Sequence, residues 1–232
     1  MPETEPDWKS LFKLAGTAAL ILLVYSLVTM ILMIVFGGQP ESAQEGFATL
    51  QANRLVGLLR LDVLTSLIMP LYYLLFLGFF AALKRTHMAL AVVAALIGCA
   101  GVTLFLATPS AFSWLPLSEK FAAASEAQKT LLLAAGESIL ASDMWHGTGA
   151  LMGGLLLQTG TLLASLLMLR SNIFGKITGW LGVAMHGLDL LHILAGIFLP
   201  ALGVVLMMIA GQLYLVWFPL LARDFFRLGK SS

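Results

Sequence analysis

The sequence predicts an all-α, polytopic bundle of about six membrane-crossing helices, on three observations. Of its 232 residues, 59% are hydrophobic and 11% charged, with a mean hydropathy of +0.95. A water-soluble fold of this length has no core large enough to hide that surface, so lipid is the expected solvent. Apolar runs of about 20 residues, the length a helix needs to cross hydrocarbon, recur along the chain. Lys and Arg collect at alternate ends of those runs.

The first run, about 11–37, ends at Gly37-Gly38-Gln39-Pro40. The opening residues, MPETEPDWKS, are acidic where a secretory signal is basic, so this run is expected as a retained anchor. The second, about 55–83, carries Pro70 near its middle and closes at Lys84-Arg85-Thr86-His87. The third, about 88–108, stops before Pro109; the fourth, fifth and sixth occupy about 147–169, 177–199 and 201–222, the last two joined tightly at Pro200. All belong to one integral membrane domain, 1–232.

Between Pro109 and Trp145 the chain is longer than structureless connections usually are. Residues 118–142 are rich in helix formers, with Ser118 placed as an N-cap and Gly136 as a breaker. An external amphipathic helix is expected between spans three and four, lying on the bilayer or covering the bundle. Trp8, Trp114, Trp145 and Trp180 fall near span ends, as an interfacial aromatic belt requires. Gly149 with Gly153 and Gly175 with Gly179 have the spacing of close helix approach, which reads as packing between neighbouring helices.

Orientation follows from the cations. With the N-terminus in the cytoplasm, Lys9, Lys13, Lys84, Arg85, Arg170, Lys176, Arg223, Arg227 and Lys230 are all cytoplasmic, and an even span number puts the C-terminus there too. The near-zero net charge of +1 and the scattered basic residues exclude a nucleic-acid partner. A single cysteine, Cys99, excludes a disulfide framework and a Cys-based metal motif. The chain has no Gly-rich phosphate loop followed by Lys, no G-x-S-x-G elbow and no H-E-x-x-H.

Ionisable and amide side chains inside apolar runs are costly, and are where function is sought first. Span two carries Arg60 and Asp62, span five His186, Asp189 and His192, and spans four and six Gln158 and Gln212. The three polar residues of HGLDLLH are spaced by three, so they share a stripe about 120° wide. Asp189 then reaches one histidine or the other. By depth, Asp189 falls level with Gln158 and Gln212, and His192 with Arg60 and Asp62, which predicts a polar pocket in the outer half of the bundle.

Three readings of that pocket are open. Arg60 pairs with Asp62 or Asp189 while the glutamines act as polar glue between helices. Alternatively the pocket binds or transports a small lipid-like or anionic molecule at Arg60, Asp62, Gln158, Asp189, His192 and Gln212. Or His146, His186, Asp189 and His192 supply ligands to a zinc ion in an intramembrane hydrolase, although no histidine pair is spaced to set the geometry. No cofactor is expected outside that third reading.

Several stretches, FATLQANRLVGLLRLDVL (47–64), FLATPSAFSWLPLSEKFAAASEAQKTLLLAAGESILA (105–141), GTG (147–149), MLRSNIFGKITGWLG (168–182) and FPLLARDFFRLG (218–229), resemble an uncharacterised bacterial family of six-span membrane proteins, a domain-of-unknown-function family. The resemblance implies residence in the bacterial cytoplasmic membrane without naming a reaction. It also implies that Arg54, Arg60 and Asp62, which lie within a resembling segment, are better candidates for a shared role than His146, His186 and His192. The expected function is therefore a non-enzymatic accessory or structural subunit, or a small-molecule-binding protein, with membrane lipids, other membrane subunits or a small amphipathic ligand as partners.

Overall fold

The computed structural model describes residues 8–230, all of whose regular structure is helical: α1 Lys9–Phe36, α2 Ala43–Ala52, α3 Arg54–Arg60, α4 Val63–Ile68, α5 Leu71–Leu83, α6 Met88–Ala107, α7 Ala111–Ala122, α8 Glu126–Leu140, α9 Gly147–Arg170, α10 Lys176–Phe198 and α11 Pro200–Lys230. Six helical stretches are long and apolar enough to cross a membrane, Lys9–Phe36, Val63–Leu83, Met88–Ala122, Gly147–Arg170, Lys176–Phe198 and Pro200–Lys230. The chain is thus a multi-pass helical membrane protein, the fold class its hydropathy predicts. It divides into two compact units, and α1, α6 and α9 contribute residues to both.

The first unit holds the chain up to Ser26, Pro70–Val102 and everything from Gly154 onward. Its interior is aromatic. Phe79 stacks on Phe225 with ring centroids 5.5 Å apart, and Phe174 meets Phe225 edge-on at 5.4 Å. Helix α6 approaches α5 and α9 at a glycine. A Cβ on Gly98 would collide with Cζ of Phe76, and one on Gly160 would stand 2.7 Å from the Gly98 backbone. Without hydrocarbon repulsion to drive helices together, such backbone proximity supplies the dispersion contacts that hold them. Gly179 packs on Leu169 of α9, so that glycine serves packing within the chain, as its spacing predicts. Helices α10 and α11 form a hairpin with Leu199 alone between them.

All nine basic residues read as cytoplasmic belong to this unit. They gather at one end. Gly229 packs on Lys13, Lys84 lies over the Trp8 ring at 4.3 Å, Lys176 Nζ donates to the Ser171 carbonyl at 3.0 Å, and Arg227 donates to the Ile173 carbonyl. At the centre of that end sits Asp224, fully buried. Its Oδ2 accepts the Gly175 N–H at 2.9 Å and the Thr178 hydroxyl at 2.7 Å. Gly175 has no side chain to cap α10, so a carboxylate from α11 does it, at the positive end of the helix dipole.

The second unit holds Leu27–Met69 and Thr103–Gly153. Here Ser42 caps α2 by accepting the Glu45 N–H at 3.2 Å, while Glu45 Oε2 accepts the Glu41 N–H at 2.9 Å. Asn53 both ends α2 and starts α3, its Oδ1 accepting the N–H groups of Leu55 and Val56 at 3.1 Å. The core is built on Phe47, which lies 5.5 Å from Trp114 and 4.8 Å from Phe121 between ring centroids.

The second apolar run differs from the single span expected at 55–83. It breaks at Leu61-Asp62, where Asp62 has φ 55°, so α3 is separate and the membrane-length stretch starts at Val63. A non-glycine residue in the left-handed region stops the helical ladder, and aspartate is among the few that tolerate it. Pro70 lies within that stretch, as expected, where it separates α4 from α5 as the N-cap of α5. The segment expected as one helix over 118–142 is two. Ser118 is buried inside α7; α8 is capped by Ser125, whose N–H donates to Gln128 Oε1 at 3.0 Å. Gly136 breaks nothing: it sits within α8, where a Cβ would stand 2.7 Å from that of Ala43. Trp114, expected as an interfacial anchor, is 1% exposed, whereas Trp145 and Trp180 are exposed. The sixth span runs on to Lys230, beyond the expected 222.

Candidate functional site

Two polar groups, one in each unit, contain the residues singled out from the sequence except His192 and Gln212. In the first unit, His186 and Asp189 are buried on α10, three residues apart and so about 60° apart around the helix axis. Neither bonds the other. His186 Nδ1 lies 2.6 Å from Gln158 Oε1 of α9; Gln158 Nε2 donates to the Tyr214 hydroxyl of α11 at 3.2 Å; and Tyr214 donates to Asp189 Oδ2 at 2.5 Å. A continuous chain from three helices results.

Its direction follows from the donors. An ionised Asp189 only accepts, so the phenol proton points to it and the phenol oxygen takes the Gln158 amide N–H. Gln158 then presents its carbonyl to His186, which places the imidazole proton on Nδ1 and leaves Nε2 a bare acceptor. That Nε2 is buried without a hydrogen-bond partner among the described residues. The ring is held edge-on against Trp217, centroids 5.0 Å apart, and Trp217 is itself fixed by its Nε1–H bond to the Thr178 carbonyl at 3.0 Å.

His192 and Gln212 stand apart from this chain. His192 Nδ1 meets the Gly203 carbonyl at 3.2 Å, tying the α10–α11 hairpin, and Gln212 is exposed. Tyr214, unremarked in the sequence, takes the place expected of Gln212. The two are separated by about 200° around α11.

In the second unit Arg60 pairs with neither Asp62 nor Asp189. Its Nη2 contacts Glu45 Oε1 at 2.6 Å, its Nε donates to the Gly38 carbonyl at 2.8 Å, and its Nη1 lies 3.4 Å from the Thr49 hydroxyl. The guanidinium therefore ties α3 to α2 and to the Gly37-Gly38 turn. The Glu41 N–H and, second, the Arg60 guanidinium hold the Glu45 carboxyl below its ordinary value. Arg54 pairs with Glu119 at 3.3 Å on the surface, both side chains more than half exposed. Such a pair contributes little.

Asp62 accepts from Gln39 Nε2 at 2.9 Å. Burial pushes its carboxyl above the ordinary value and the charge of Asp143 adds to that, against the hydrogen bonds from Gln39, Trp145 and Thr65. Asp143, 4% exposed, accepts the N–H groups of Trp145 and His146 and lies 2.9 Å from His146 Nδ1. His146 borders an open groove of about 350 Å³ with Gln39, Pro40, Glu41, Glu137, Leu140 and Ala141.

A depressed carboxyl contributes stability above its ordinary value and loses it as pH falls through the lowered one. Arg60→Ala is expected to cost about 1–2 kcal/mol at neutral pH, discounted because Glu45 is partly exposed. In thermal melts the gap between wild type and Arg60→Ala should narrow as pH falls through the carboxylate range. A gap independent of pH would show that Glu45 is not the partner that matters. Asp62, raised rather than lowered, works in the opposite sense, since protonation relieves it; it is common to both proteins and drops out of the difference.

For metal chemistry, no three His, Cys, Asp or Glu side chains gather in ligand geometry among the described residues. His146 is engaged with Asp143 in the second unit, while His186, Asp189 and His192 meet Gln158, Tyr214 and a backbone carbonyl in the first. Compared with protein-family models, curated proteins and solved structures, the chain finds no match.

Proposed function

We propose that the protein is a non-enzymatic binding or transport-like protein of the bacterial cytoplasmic membrane, with both termini in the cytoplasm and the His186–Gln158–Tyr214–Asp189 chain as its site. The observation that carries this reading is the chain's unfinished end. Buried polar atoms in a membrane-spanning segment are expected to be paired, and intramembrane carboxylates and histidines cluster where ligands or ions act. Among the described residues the buried His186 Nε2 has no hydrogen-bond partner, and with the ring proton on Nδ1 it is an acceptor. The ligand it suits is a small polar or amphipathic molecule that brings a hydroxyl or ammonium donor. Arg60, fully engaged within its own unit, offers no free cation for an anionic ligand. The orientation rests on the distribution of Lys and Arg, and the bacterial setting on the family resemblance.

A second reading, an accessory subunit of a larger membrane complex, draws on the same chain. Its hydrogen bonds join α9, α10 and α11 as interhelical polar glue does. Gentle purification from native membranes, followed by mass spectrometry for proteins, lipids, small molecules and metals, separates the readings. The expected result is a chain free of protein partners that retains a hydroxyl- or amine-bearing molecule, lost from His186→Leu and from Asp189→Asn. A reproducible set of protein partners with no such molecule would replace this reading by the accessory one, and a stoichiometric metal would return attention to the hydrolase alternative.

A further inference from the structure

The basic end of the first unit has a build that neither the polar chain nor the fold requires. Eight of its nine cations are exposed, with Lys84 half-buried against Trp8. The one described carboxylate there, Asp224, is fully buried and engaged with Gly175, Thr178 and Arg223. Among the described residues the end carries a clear excess of positive charge. The cations also flank bare hydrocarbon. Lys13 is followed by Leu14, 53% exposed; Arg170 stands one turn from Leu166, 42% exposed; Lys176 is followed by Ile177 and Trp180, 68% and 64% exposed. Fixed cations over exposed apolar side chains match a molecule with an anionic head and an acyl tail, whereas a soluble anion has no use for the lower tier.

We infer that this end is a collar that selectively binds anionic phospholipids, their phosphodiester groups on the exposed Lys and Arg side chains and their acyl chains on the apolar tier beneath. A phosphatidylcholine head carries its own ammonium and is excluded by the same charges. Of the cations, Lys13, Arg170 and Lys230 are exposed and make no side-chain hydrogen bond or ion pair among the described residues, so they can be changed without dismantling the fold.

The full chain is reconstituted into mixed phosphatidylglycerol and phosphatidylcholine bilayers and excised in polymer nanodiscs, and the lipid retained is quantified against the bulk ratio. Phosphatidylglycerol is expected to be enriched severalfold. Each cation neutralised should weaken retention at its own position about fivefold. The triple variant Lys13→Gln, Arg170→Gln, Lys230→Gln, which keeps six of the nine cations, should therefore lose a measurable part of the enrichment while its melting temperature in pure phosphatidylcholine stays that of the wild type. Should the triple variant not fold, the wild type at about 1 M salt, where screening acts within about 3 Å, should lose the enrichment. Retained lipid at the bulk ratio in the wild type, enrichment unchanged in the triple variant, or enrichment that survives salt would each overturn the collar. So would inorganic phosphate alone stabilising the detergent-purified protein as much as phosphatidylglycerol does, since the site would then take a free phosphate.

Discussion

Asp224→Ala is expected to lower the unfolding free energy by about 3–5 kcal/mol, the largest single effect of any one-carboxylate change in the chain. Asp224 is fully buried and accepts from two donors, the half-buried Gly175 N–H and the buried Thr178 hydroxyl. Removing the carboxylate takes that acceptor from both donors. It also leaves α10 without a cap at its positive end, and releases Arg223 and Arg227, whose charges contribute less because both are more than half exposed. Asp224→Asn keeps one oxygen and should lose less than Ala does. Reversible unfolding in detergent or bicelles reads the order directly. Equal stability of wild type and Asp224→Ala would mean that water replaces the carboxylate, and that α10 is not anchored from α11.

The second large effect is steric. Gly160→Ala places a methyl 2.7 Å from the Ala94 carbonyl oxygen and from the Gly98 backbone, and backbone cannot turn away as a side chain can. Helices α6 and α9 must separate, at a cost of about 1–3 kcal/mol for the overpacking, more if the Phe76 contact at Gly98 is lost with it. Gly187→Ala is the matched control, because a Cβ there meets nothing within 4 Å. It should be neutral or gain a few tenths to about 1 kcal/mol from helix propensity. If the two variants melt alike, the close approach of α6 and α9 is not a feature of the folded protein in lipid.

Taken together, the packing glycine, the capping carboxylate and the polar chain act at different levels of one unit. Gly160 sets how near two backbones come, Asp224 fixes where a helix begins, and Tyr214 decides which polar groups meet. Each role depends on a residue from another helix.

That dependence marks the boundary of what the sequence by itself determined. The all-helical class and six membrane-length helices are written in hydropathy, which is a local property summed over a window and needs no knowledge of neighbours. The tight join at Pro200 is likewise local, since proline cannot continue the ladder of the preceding helix. Partners are not local. Gln212 and Tyr214 are two residues apart on α11, and polarity alone favours the glutamine, but only the angular setting of the helix puts the tyrosine inward against Asp189 and leaves the glutamine exposed. The sequence reading offered Arg60 two carboxylates, Asp62 and Asp189, and the actual partner, Glu45, depends on the turn at Asp62 that separates α3 from α4. Trp114 and Gly136 read as an anchor and a breaker by position, and became core because α2 delivers Phe47 and Ala43 against them. The sequence alone determined which segments leave water; which side chains they bring together there was decided by rotation and packing of whole helices, because the free energy of a buried polar group depends on the partner it finds and not on its place in the chain.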